Sequence, residues 1–137
     1  MVLRECEPLT RDGRQAMYGD SEVMRRRAAE LRAQGADLRT LADRLVASTE
    51  GAGRTGRVAA ALDERLRIRA GRLREAAGRH DDAAEALTAH RREVDRLKEA
   101  IADTERRATQ LLAQTDATGP TPPPGHRDWL TLDLPGL

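Results

Sequence analysis

Residues 24–45 read MRRRAAELRAQGADLRTLADRL, and their spacing decides the fold. Met24, Leu31, Leu38 and Leu45 recur every seven residues, and Ala28, Gly35 and Ala42 follow four residues after the first three. Apolar residues stepping by four and three occupy one stripe of an α-helix and build the seam of a helix pair. Large and small side chains alternate along this seam, and the small ones let a neighbouring backbone approach closely. Gly35 thus has a packing role that offsets its helix penalty of about 1 kcal/mol. Upstream, Asp20 or Ser21 offers an N-cap oxygen ahead of Glu22. The pattern predicts a helix over 20–48, preceded by a loosely ordered arm, 1–19, that carries Pro8, Gly13 and Gly19.

Gly51, Gly53 and Gly56 fall within a Ser/Thr-bearing stretch and predict a chain reversal over 49–56. A second helix is expected over 57–114. Leu66, Leu73, His80, Leu87, Val94, Ile101 and Ala108 recur at strict sevens there, with Leu62, Arg69, Ala76, Ala83, His90, Leu97, Thr104 and Leu111 as a companion series. Gly78 permits a second reading, a C-terminal cap followed by a new helix started by Asp82 and Glu85. The unbroken phase of sevens across Gly78 favours one helix. At 1.5 Å per residue the two helices are roughly 43 and 87 Å long. Leu31, Leu38, Leu45 and Leu66 then form the seam of an antiparallel hairpin. Leu73, Leu87, Val94, Leu97 and Ile101 are the expected partner-facing set, because the shorter helix cannot cover the longer one unless the arm folds back. The fold class is all-α: a hairpin with a long second helix that completes a four-helix bundle or coiled coil with a partner chain, either a second copy or another helical protein.

Composition points the same way. The 137 residues include 23 Ala and 23 Arg but one Lys, and the only aromatics are Tyr18 and Trp129. Strong helix formers with almost no aromatic core material favour long helices over a compact enzyme. The 24 basic and 23 acidic side chains leave a charge of +1. Arg25, Arg26 and Arg27, Arg65, Arg67 and Arg69, and Arg106 and Arg107 are interspersed with acids at helical spacings, so a salt-bridged solvent face is expected rather than a nucleic-acid surface. Cys6 has no second cysteine to pair with. The first twenty residues lack an apolar core of the signal-peptide kind, and no run approaches eighteen apolar residues, so neither a cleavable signal nor a membrane span is expected.

The tail, 115–137, holds a Pro-rich stretch, Gly119-Pro120-Thr121-Pro122-Pro123-Pro124-Gly125, which predicts an extended chain. Behind Trp129, the alternation Leu130, Leu132, Leu134 reads either as a short strand or docking motif for a partner's edge, or as a segment lying on its own bundle. Catalytic chemistry is not expected. His80 and His90 stand about 15 Å apart along one helix, too far to share a metal, and Asp81 and Asp82 do not change that. The glycines at 51–56 lack the Gly-Lys-Ser/Thr ending of a phosphate loop. Ser21 and Ser48 have no nucleophile context. No cofactor and no metal are expected.

Gly19-Asp20-Ser21-Glu22, a Leu/Ala-rich helix, a glycine turn, and Ala59-Ala60-Ala61-Leu62 near the start of a longer helix together resemble the WXG or ESAT-type helical hairpins of type VII secretion, most closely the actinobacterial secreted variety. Ala83-Ala84-Glu85-Ala86-Leu87-Thr88-Ala89-His90 and the exit ending Asp128-Trp129-Leu130 add to the likeness, which covers residues 19–114 with a weaker echo in the tail. The family's turn tryptophan is replaced by Gly51-Ala52-Gly53. Its Tyr-x-x-x-Asp/Glu element is absent after the second helix, the one matching spacing being Tyr18 with Glu22. The resemblance implies a non-enzymatic partner or adaptor in type VII secretion that works by helix–helix dimerisation with itself, a secretion component or an effector. Its place is the cytoplasm, or outside after export without a cleavable signal. The alternative from composition is a structural coiled coil or a DNA-associated protein using its arginines.

Overall fold

The computed structural model describes residues 19–51, 53, 55–115 and 119–137; the arm expected over 1–19 lies outside them except for Gly19. Two α-helices and one short 3-10 helix make up the regular structure of these residues. Helix α1 spans Ser21–Glu50 and helix α2 spans Arg57–Thr115. Against the expected 20–48 and 57–114, α1 gains its last turn from Ser48 and Thr49. Their hydroxyls fold back onto the Leu45 and Val46 carbonyls, and the Gly51 amide donates to Ala47 O. Gly53 and Gly56 then take φ values of 54° and 103°, the left-handed region where a side chain is strained. Helix α2 runs unbroken through Gly78, so the cap reading of that glycine does not apply.

The chain divides into two compact units, one of residues 22–89 and one that joins 90–137 to the segment ending at Ser21. In the first unit α1 and the N-terminal part of α2 pack as an antiparallel hairpin. Arg32 reaches Thr88, Arg39 pairs with Asp81, and Arg74 pairs with Asp43 at 2.7 Å, so positions ascending on α1 meet positions descending on α2. The centre of the contact is made of small residues. Ala28, Gly35, Ala42 and Thr49 are the buried positions of α1, while Ala42 and, on α2, Ala70, Ala77 and Ala84 are fully excluded from solvent. Met24, Leu31, Leu38 and Leu45 on α1, and Leu66, Leu73, His80 and Leu87 on α2, are only half-buried.

This corrects the companion series read for α2. The second seam line is Ala70, Ala77 and Ala84, four residues after Leu66, Leu73 and His80, rather than Arg69, Ala76 and Ala83. The leucines at 62, 97 and 111 drew the line to the other side of the helix, yet Leu62 and Leu97 are exposed. Turning one helix end over end against the other keeps equivalent positions on the same edge of their contact. The alanines of both helices therefore line up with one another at the centre of the contact, and the leucines of both fall along one edge of it.

Glycine positions give a stability test of this close approach. A Cβ built on Gly35 would lie 3.2 Å from the Ala77 carbonyl oxygen and 2.9 Å from an Asp81 carboxylate oxygen, whereas one on Gly71 would meet nothing within 4 Å. Gly71→Ala is expected to stabilise the chain by up to about 1 kcal/mol through helix propensity. Gly35→Leu is expected to destabilise it by about 1–3 kcal/mol through overpacking. Urea unfolding followed by circular dichroism measures both.

Candidate functional site

The sequence singled out three kinds of residue: the two seams, the turn and the tail. In the hairpin unit, Leu31, Leu38, Leu45 and Leu66 flank the alanine line and keep part of their surface in water. Leu73 and Leu87 of the partner-facing set are half-buried on the same edge. Gly51, Gly53 and Gly56 lie in the solvent-exposed turn. Beyond it, Val58 (86% exposed) and Leu62 (41%) stand with Ala61 between Arg57 and Arg65, around a shallow open depression. Sequence reasoning missed this patch, because Val58 falls on neither heptad line.

In the second unit the remaining partner-facing residues separate. Val94 and Ile101 are 8% and 3% exposed and closed to any partner in this arrangement, while Leu97 is 38% exposed. What covers Ile101 is the tail. Ile101, Ala108 and Trp129 form a buried cluster against which Leu132 and Leu134 pack. Residues 127–131 are not a strand but a 3-10 helix, Arg127–Thr131, whose N-cap is His126 accepting from the Asp128 amide. Trp129 is buried beneath this turn, and its indole N–H donates to Pro123 O at 2.8 Å. The proline stretch thus ends in a turn instead of an extended run: His126 N donates to Pro123 O, and Gly125, at φ 74°, donates its amide to Glu105 Oε2 at 2.9 Å. Leu130 stays 43% exposed. Leu111, Leu112, Thr115, Leu134 and Pro135 line a shallow groove at the end of α2.

Two more contacts clamp this face. Lys98 Nζ donates to Gly19 O at 2.7 Å, and the Ser21 hydroxyl donates to an Asp95 carboxylate that also accepts from Arg91. Lys98, Ile101, Glu105, Ala108 and Leu112 are spaced by three, four, three and four and so share one face of α2. Each of its polar members is bonded to backbone of a segment lying over it.

No group of His, Cys, Asp and Glu among the described residues is placed to hold a metal ion. His80 turns Nδ1 back to the Ala76 carbonyl at 2.8 Å, which satisfies it within its own helix, and His90 is exposed. Four arginines pair with acids within one helical turn: Arg25 with Glu22, Arg27 with Glu30, Arg96 with Glu93 and Arg106 with Asp103. These pairs are exposed, and such pairs contribute about 0–1 kcal/mol each. No helix among the described residues is long and apolar enough to cross a membrane. No family model, curated protein or solved structure matches the chain.

Two expectations follow from this geometry. The Arg96 hydrogen bond holds Glu93 below its ordinary value of 4.5; desolvation opposes it, and the Arg96 charge adds a smaller push in the same downward direction. The sign is that of a depressed carboxylate: its contribution to helix stability is complete above about pH 4.5 and is lost as acid takes the pH down through the lowered value. Glu93→Gln should flatten that part of an acid titration of helicity. Trp129→Ala should release the tail, since deleting a buried aromatic removes about 3–5 kcal/mol of local packing. Hydrogen exchange is expected to speed up at residues 125–134 and at the end of α2, with the hairpin amides of 28–49 unchanged.

Proposed function

We propose that this chain is a non-enzymatic, WXG-like helical-hairpin protein that acts by helix–helix association, as a partner or adaptor in type VII secretion. The observation that carries the reading is the division of labour in the hairpin: the alanines are fully buried while the leucines of both helices remain half-buried along one edge. Full burial of a leucine supplies about 1.5–3 kcal/mol. Leu31, Leu38, Leu45, Leu66, Leu73 and Leu87 therefore hold apolar surface that a second helical pair can still cover.

The residues that carry the family resemblance support assigning that association to secretion. The chain then resides in the cytoplasm or leaves it in company, because the Tyr-x-x-x-Asp/Glu element is missing after α2. Nucleic-acid binding has less support, since Arg25, Arg27, Arg91, Arg96 and Arg106 are each met by a carboxylate on their own helix.

Light scattering tests the reading. The purified chain is expected above its monomer mass of 15.1 kDa at micromolar concentration, and Leu38→Asp with Leu73→Asp should reduce it to monomer. Association should also persist at high salt, because apolar packing is not screened as phosphate contacts are. A fully helical monomer at every concentration would sink the proposal.

A further inference from the structure

The C-terminal part of α2 carries a second apolar face that the tail covers in cis. Val94, Ile101 and Ala108 continue, on the same helix and in the same phase of sevens, the series that begins with Leu66, Leu73, His80 and Leu87. Helix α1 packs on the alanine line of the first part. Over the second part lies a 3-10 turn with one tryptophan and two leucines, a small cover for a helical seam. The tail is held by contacts of Trp129, Leu132 and Leu134 and by a hydrogen bond from Gly125 to Glu105.

We infer that this face is a docking surface for the same face of a second copy, with the tail as its displaceable cover. Charge complementarity selects a second copy as the occupant. Turning α2 antiparallel to itself so that the seam coincides sets Val94 opposite Leu112, Lys98 opposite Ala108 and Ile101 opposite Glu105. Along one edge of that pairing Lys98 of each copy then falls beside Glu105 of the other, about one helical turn apart along the axis or less. The contact is isologous, so the pairing occurs twice. In the isolated chain those two side chains hold the cover: Lys98 bonds Gly19 O and Glu105 bonds the Gly125 amide. Removing the covering segments leaves two half-buried opposite charges whose nearest replacement partners are each other's counterparts on the second copy. Ile101 and Ala108, which the tail covers, together with Val94 and Leu112 on the same face, supply the burial.

This surface is separate from the leucine edge of the hairpin, and its test separates the two readings. In the full-length chain, Trp129→Ser with Leu132→Ser releases the cover. The expected result is a solution mass twice that of the unmodified chain at equal concentration, with helicity retained, whatever mass the unmodified chain has. Adding Lys98→Glu should return the mass to the unmodified value by setting like charges together, and adding both Lys98→Glu and Glu105→Lys should restore the doubling. A synthetic peptide of residues 119–137, added in excess, should dissociate the doubled species. An unchanged mass on tail release, a loss of helicity without association, or a doubling indifferent to the charge reversal would each overturn the inference. Failure of the leucine-edge reading appears instead as an unmodified chain that is monomeric, with the doubling on tail release intact.

Discussion

The close approach of two helices across a line of alanines is the constraint on which the hairpin depends. Ala42, Ala70, Ala77 and Ala84 are wholly excluded from water, and the Gly35 position leaves no room for a further methyl group beside the Ala77 carbonyl. Dispersion contacts between backbones replace the large interdigitated side chains of an ordinary core, each weak and collectively decisive. Everything around the seam follows from that distance. Leucines too bulky for the centre are pushed to one edge, where they stay half-wet. Long side chains such as Arg39 and Arg74 can span from one helix to the carboxylates of the other.

The C-terminal part of α2 solves the same burial problem with different material. Its seam line after Ala84 becomes Arg91, Lys98 and Glu105, positions where no methyl-sized contact is possible. A second helix packed as closely as α1 would bury those charges without compensation, at a cost of several kcal/mol per ion. The tail avoids this, because its Gly125 amide meets Glu105 and its tryptophan meets Ile101 and Ala108, while Lys98 finds the Gly19 carbonyl and Arg91 the Asp95 carboxylate. The single tryptophan is thus placed where the helix contact cannot use alanine.

Much of the architecture was legible because α1 alternates leucine with alanine or glycine in unbroken register, a pattern with one physical solution. The series from Leu66 to Ala108 was legible for the same reason. Its companion was not, since alanines are too common in this chain to mark a line, and conspicuous leucines at 62, 97 and 111 marked a different one. The tail misled through period: Leu130, Leu132 and Leu134 alternate as in a strand, but the conformation is set by the His126 cap and by the Trp129 indole reaching Pro123. That tertiary anchoring leaves no local trace in spacing. That the tail lies on its own helices is one of the two readings of its sequence, but which residues it covers is not legible, because Ile101 and Trp129 stand about thirty positions apart across a proline-rich connection. Val58 likewise shows as an exposed apolar residue only once the helix phase is fixed by its neighbours.

The near-total use of arginine over lysine has a practical side. Lys98 carries the only side-chain amine in the chain, and that amine is engaged with the Gly19 carbonyl. Acylating reagents, which ignore guanidinium groups, therefore find one internal target instead of two dozen. Their rate at that target depends on how often the amine leaves the Gly19 carbonyl. The protein comes with its own chemical clock for the opening of its N-terminal contact, legible by mass spectrometry without any engineered label.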